Sequence, residues 1–165
     1  AGDGTNVAAL PGAGYVNGDM EDLREMLMDP GTIVGLGDAG AHVKLICDGS
    51  VPTTQLTHWV RDRTRGERIP LEFMVHKQTL RNAQLYGFAD RGELAVGKRA
   101  DVNVIDFENL NVHRPVAHAD LPAGGLRYLQ PVEGYLATFV AGVQTRSNDT
   151  DTGERPGRLL RSVMS

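Results

Sequence analysis

Apolar side chains recur at helix spacing across residues 19–28, where Met20, Leu23, Met26 and Leu27 fall in register, Asp19 suits the cap and Glu21 and Asp22 suit the first turn. Pro30-Gly31 ends that pattern. Thr32-Ile33-Val34-Gly35-Leu36-Gly37 is short, apolar and rich in β-branched residues, which predicts a buried strand that delivers Asp38 at its C-terminal end. Helical spacing returns with Leu56, Trp59 and Val60, on a helix that Thr53 or Thr54 can cap and that runs to Arg63. Pro70 fits the first position of a helix carrying Leu71, Met74 and Val75. Thr79 can cap a third over residues 81–86, with Gly87 placed to end it.

After Asp90 the period changes. Val102, Val104 and Phe107 fall at strand spacing within residues 100–107, and residues 136–143 form a second β-prone run broken by Gly142. Between them, residues 109–130 read as long and irregular, with Pro115, Pro122 and Gly124-Gly125. The order helix, strand, loop, helices is that of the last units of an α/β barrel, so a boundary is expected near residues 88–95, with a small β-rich part after it.

A chain of 165 residues is long enough for one ordinary domain or a piece of a larger one. An apolar share of 41% separates it from disordered chains, and 20 glycines predict many turns. The net charge of -4 is carried without any basic stripe, which argues against nucleic acid as a partner. No apolar stretch approaches the roughly 18–20 residues of a membrane span, and the first residues lack a basic-then-apolar leader, so a soluble, cytoplasmic protein with no membrane partner is expected. Cys47 stands alone, which excludes an intrachain disulfide; on its apolar run it is expected to be a buried thiol. The lack of an initiator Met hints at an N-terminus lying upstream.

Gly35-Leu36-Gly37-Asp38-Ala39-Gly40 matches the dinucleotide pattern G-x-G-x-x-G after a predicted strand. A pyrophosphate site also needs a helix opening within the motif, whereas residues 41–47 are apolar and Gly49, Ser50 and Pro52 follow at once. Asp62 stands about 20 residues on, where a ribose-binding acid lies in such proteins, but within a predicted helix. Asp38 itself, at a strand end between glycines, suits a general acid/base beside a metal-bound water; the alternative is a turn aspartate capping local amides. His42 can hydrogen-bond a substrate or orient Asp38. Arg61, Arg63, Asp120 and Arg127 are candidates for an acidic substrate, with loop or surface pairing the leading expectation for each. His113 and His118 are too irregularly placed for a zinc site, and His58 and His76 sit on helical faces.

Further stretches carry a resemblance. Residues Gly35 to Val43 followed by Cys47-Asp48 and Trp59-Val60-Arg61-Asp62-Arg63, then Asp90-Arg91-Gly92-Glu93-Leu94 through Gly97-Lys98-Arg99-Ala100-Asp101, then Asp120-Leu121-Pro122-Ala123-Gly124-Gly125, then Thr152-Gly153-Glu154-Arg155-Pro156-Gly157, stand in one order. In that order they resemble the C-terminal portion of amidohydrolase-superfamily enzymes akin to D-aminoacylases and N-acyl-D-glutamate or D-aspartate deacylases.

The resemblance implies an α/β chain: the C-terminal part of a metal-dependent (β/α)8 barrel over residues 1–90, then part of a small composite β-sandwich over residues 91–165. It implies hydrolysis of a linear amide in a small-molecule N-acyl-D-amino acid, with Asp38 as catalytic carboxylate and metal ligand, His42 as a substrate-binding candidate and zinc as cofactor. The family's His-x-His pair, its Cys or modified Lys and its two further His cannot be assigned in this sequence. The isolated chain is therefore expected to be inactive without an N-terminal barrel portion as partner. It is also expected to associate into oligomers through exposed surfaces of Ile33, Val34 and Leu36. The alternatives are a cyclic-amide hydrolase of the same superfamily, a non-catalytic module and a dinucleotide-binding module.

Overall fold

The computed structural model describes residues 17–35 and 37–161. Helix α1 spans Glu21–Met28, and Asp19 Oδ1 accepts the Glu21 N–H at 3.0 Å, satisfying one of the open donors of the first turn. Met20, Leu23, Leu27 and Met28 pack against the core, while Met26 turns to solvent. The second helix starts earlier than expected. A 3-10 turn, Asp48–Ser50, leads into α2, Val51–Thr54, with Pro52 in its first turn, so the Thr53 and Thr54 hydroxyls do not cap it. The helix then widens into a π-helical stretch, Gln55–Asp62, that closes with the Arg63 N–H on the His58 carbonyl at 2.9 Å. Leu56, Trp59 and Val60 are buried, as their spacing predicts.

Pro70 stands at the cap of α3, Leu71–Gln78, whose Met74 is fully buried while Val75 is exposed. Helix α4, Leu80–Leu85, ends in a Schellman pair: the Gly87 N–H reaches the Gln84 carbonyl at 3.1 Å and the Phe88 N–H reaches Ala83 at 2.8 Å. Gly87, at φ 70°, takes the left-handed position this closure requires. Thr79 does not cap α4 with its side chain; its hydroxyl donates to the Val75 carbonyl at 2.6 Å.

Among the described residues the strands form three antiparallel sheets. β1 (Val102–Ile105), β6 (Tyr135–Val140), β7 (Val143–Ser147) and β8 (Thr150–Asp151) form a sheet in the order β1-β6-β7-β8, with Val102 opposite Phe139 and Ala137 opposite Ser147. β2 (Asn111–Val112) pairs with β5 (Val132–Glu133), and β3 (Val116–Leu121) with β4 (Gly125–Leu129). Residues 109–130, expected to be irregular, thus hold a hairpin, closed where Ala123 and Gly124 adopt positive φ. The run expected over residues 136–143 stops at Val140. Ala141 and Gly142, at φ 52° and 79°, form a two-residue turn, and Asn148 and Asp149, at φ 44° and 61°, form the next. Two central residues at positive φ give the backbone twist that joins right-twisted strands.

Helices and strands share one core. Leu56, Trp59, Val60, Ile69, Met74 and Leu110 are buried together, with Ile105, Phe107 and Tyr135 packed onto them from the strand side. Arg61 fixes the seam: its guanidinium donates to the carbonyls of Phe107, Glu108 and Leu110, the last at 2.8 Å, and lies 5.7 Å from the Phe107 ring centre. Gly134, at φ 104°, passes so close to Leu110 that a Cβ there would sit 2.8 Å from the Leu110 Cα. At the far edge, Arg155 and the Gly153 N–H hold the Asp151 carboxyl down to about 2.

Leu110 has no exposed surface, so Leu110→Ala is expected to lower unfolding stability by about 2–5 kcal/mol in a denaturant titration. For Asp151 the folded pKa lies below the unfolded one, so its contribution is present above pH ~4 and is lost as pH falls through about 2. The stability difference between Asp151→Asn and the parent is therefore expected in full at neutral pH and to vanish near pH 2, as read from the denaturant midpoint.

Candidate functional site

The segment leading to Asp38 is extended, but residues 32–35 pair with no strand among the described residues, contrary to the expected buried strand. A parallel strand is stabilised by neighbours on its edges, and here side chains of the last two helices take that place. Lys77 Nζ donates to the Leu27 carbonyl, to the Asp29 carbonyl at 2.9 Å and to Thr32 Oγ1 at 2.8 Å. Arg81 reaches the Pro30 carbonyl at 3.0 Å, and Asn82 Nδ2 reaches the Val34 carbonyl at 3.0 Å. The result is a backbone held from behind at four successive points. Val34 is buried rather than exposed as expected, Ile33 is exposed in keeping with that expectation, and Leu36 lies outside the described residues.

Lys77 is 4% exposed, yet all three of its acceptors are neutral. Burial pushes its ammonium below the usual lysine range, with the Asp29 charge opposing that and Arg81 adding to it. The C-terminal carbonyls of α1 partly compensate, since a helix C-terminus favours a cation.

Beyond Gly37 the chain makes a loop. Asp38 is exposed; its N–H donates to Asp48 Oδ2 at 3.0 Å and its carbonyl accepts from Ala41 at 2.9 Å. Gly40 and His42 take positive φ, 101° and 46°, and the His42 carbonyl accepts from Leu45 and Ile46 at 2.7 and 3.0 Å. Residues 41–47 therefore form turns rather than a helix, and the G-x-G-x-x-G match lacks the helix N-terminus that a pyrophosphate requires. Among the described residues no hydrogen bond joins the Asp38 and His42 side chains; both are exposed. The loop is tied to the strands where the Tyr128 N–H donates to the Val43 carbonyl at 2.8 Å and where Ser50 donates to Gln130. Beside it runs an open groove of ≈ 800 Å³ lined by Ala39, Gly40, Cys47, His118, Arg127 and Tyr128 among others. Cys47 is partly exposed on this groove, not buried.

The four charged candidates are internally paired. Arg61 holds Asp62 at 2.6 and 2.8 Å, which also removes Asp62 from any ribose-binding role. Arg63 pairs with Glu21 and stacks 4.7 Å from the Trp59 ring centre. Asp120 and Arg127, facing one another across the β3–β4 hairpin, form two bonds of 2.8 and 2.7 Å, and the guanidinium holds the Asp120 carboxyl below the usual carboxylate range. His113 pairs with Glu133 at 3.2 Å and His58 sits edge-on to Trp59. Among the described residues no three His, Cys, Asp or Glu side chains gather to hold a metal. Sequence reasoning missed Asp48, Lys77 and Asn82. The first stood beside a glycine-rich motif with nothing to show that the chain folds back on itself; the other two lie at ordinary helical positions.

A family model described as amidohydrolase family matches residues 9–146. The chain is 32% identical over 154 residues to an N-acyl-D-glutamate deacylase of Alcaligenes xylosoxydans xylosoxydans, and 29% identical over 157 residues to an N-acyl-D-aspartate deacylase of the same organism. The matches cover 91% and 92% of this chain. The chain belongs to the amidohydrolase family. It spans only 28% of the length of those two curated relatives. No solved structure matches the chain. No helix among the described residues is long and apolar enough to cross a membrane.

Replacing Lys77 by Met keeps the apolar stem but takes the ammonium donor from the half-buried Leu27 carbonyl, while the Asp29 carbonyl keeps the Thr32 N–H and hydroxyl. Lys77→Met is expected to cost about 1–3 kcal/mol, the range for one polar group left without its partner. Because the folded pKa of Lys77 is lowered, the unfolded chain binds more protons in the window between that lowered value and the unfolded lysine value, so the parent should gain on Lys77→Met as pH rises through it. Denaturant unfolding of both proteins at pH 7 and pH 10 reads this sign.

Proposed function

We propose that this chain is the C-terminal portion of a hydrolase acting on the carbon–nitrogen bond of an N-acyl-D-amino acid, with Asp38 as its proton-transferring carboxylate. The observation that carries this reading is the exposed Asp38 at the head of a loop whose backbone is fixed from behind, in a chain of the amidohydrolase family with two deacylase relatives. In this reading residues 1–90 are the last units of a barrel and residues 91–165 part of a sandwich. Their partner is an upstream barrel segment.

The chemistry assigned to this chain is limited to its own residues. The Asp38 carboxylate accepts a proton from the water that adds to the amide carbonyl, then delivers it to the departing nitrogen as the carbon–nitrogen bond breaks, leaving a carboxylate and an amine. In this reading His42, four residues along the same chain, donates to the substrate. The groove beside the loop gives a small molecule an approach.

The family is generally metal-dependent, and zinc is the metal this reading brings. The described residues offer Asp38 and Asp48 in one loop without a third donor beside them. They do not by themselves fit a zinc centre, which needs about three or four protein ligands, and no step is derived through a metal.

The test measures turnover of a panel of N-acetyl-D-amino acids by the chain alone and by the chain joined to the upstream segment of the N-acyl-D-glutamate deacylase. Turnover is expected only in the joined protein, with Asp38→Asn lowering kcat by on the order of 10²–10⁴. Full activity in the Asp38→Asn protein would remove Asp38 from the reaction. Turnover by the chain alone would show that its own side chains complete the site.

A further inference from the structure

The loop that carries Asp38 closes on a second carboxylate that the proposed reaction does not use. Asp48 Oδ2 accepts the Asp38 N–H at 3.0 Å across ten residues of chain. Its other oxygen, Oδ1, is buried and has no hydrogen-bond partner among the described residues. Packing around it is tight on the side of the chain that leads to Asp38: a Cβ built on Gly37 would lie 1.8 Å from Asp48 Oδ2 and 2.3 Å from its Cγ. Such an approach is possible only for glycine, so Gly37 and Asp48 form one fitted unit. Asp48 also opens the 3-10 turn that starts the second helical run, with Ser50, buried, two residues on. The carboxylate is thereby fixed to a rigid element, while the residue it holds stands in a loop.

We infer that Asp48 is a positioning residue for the reaction: by accepting the Asp38 N–H over the bare face of Gly37, it fixes the Asp38 backbone and so aims the catalytic carboxylate. This rests on the reading of Asp38 given above. The physical case is one of geometry. Asp38 is exposed and its side chain has no partner among the described residues, so the direction of its carboxylate is inherited from the backbone. Among the described residues, that backbone is held upstream as far as Val34, by Asn82. Between Val34 and the Ala41 turn, the Asp48 bond is the described contact that fixes it. A carboxylate accepts an amide proton more strongly than a neutral oxygen does, and misplacement of a reacting group by about 1 Å can lower a rate on the order of 100-fold.

The test compares Asp48→Ala, Asp48→Asn and Gly37→Ala in the joined protein, with the Asp38 amide followed by NMR hydrogen exchange in the full chain. Asn keeps a side-chain oxygen acceptor, and an Ala at position 37 displaces the carboxylate while leaving it in the sequence. Asp48→Ala and Gly37→Ala are expected to lower kcat about 10- to 100-fold with KM nearly unchanged and to speed exchange of the Asp38 amide. Asp48→Asn should restore most of kcat and of the amide protection. Unchanged kcat in Asp48→Ala, in a protein that Asp38→Asn inactivates, would overturn the inference while leaving the role of Asp38 intact. Loss of kcat that Asn does not rescue would overturn it too, since charge rather than the accepted N–H would then matter. If Asp38→Asn stays active, the reading of Asp38 fails, and unaltered amide exchange in Asp48→Ala would separately sink the contact.

Discussion

The seam between helices and strands rests on one buried leucine and one arginine. Leu110 has no exposed surface, and the strand side reaches the shared core through it and its neighbours Ile105, Phe107 and Tyr135. Apolar contact alone would leave the half-buried Phe107 carbonyl and the Leu110 carbonyl without a donor, and the Arg61 guanidinium answers them from the second helical run. Asp62 pairs with that same guanidinium, which keeps its charge balanced. Without this junction the Ser50–Gln130 and Thr53–Tyr135 contacts would have no fixed counterpart, and the Asp38 loop would lose its strand-side support.

The site is built by the same device. Extended backbone normally finds its partners in adjacent strands. Here the chain from Leu27 to Val34 finds them in side chains spaced along two consecutive helices, at positions 77, 81 and 82. Loop and helix start are then joined through Asp48, and loop and strand through Tyr128 and Val43. Three kinds of element converge on a dozen residues that have no regular structure of their own.

How far this was legible in the sequence follows from the range of the forces involved. Helix positions, the buried face of Leu56, Trp59 and Val60, and the Gly87 stop are set locally, and spacing and turn chemistry exposed them. The hairpin over residues 116–129 escaped notice because its strands are short, exposed in part and stabilised by the Asp120–Arg127 pair rather than by alternating apolar residues. The strand expected before Asp38 has the right composition but no strand beside it among the described residues. The glycine-flanked motif singled out Asp38 as a candidate; it gave no sign of the Asp48 bond, because a contact between residues ten apart in an irregular loop leaves no periodic trace. The same motif suggested a dinucleotide, and the turns that follow it withdraw that suggestion.

The clamp at Lys77 grips main-chain oxygens of residues 27 and 29, as Arg61 grips those of 107, 108 and 110 and Asn82 that of 34. A carbonyl is the same whatever side chain its residue bears. The gripped segments are thus free to drift in sequence as long as their backbone path is kept, while the gripping residues are not. Mutational tolerance should accordingly be lopsided across each of these contacts, wide on the side that is held and narrow on the side that holds.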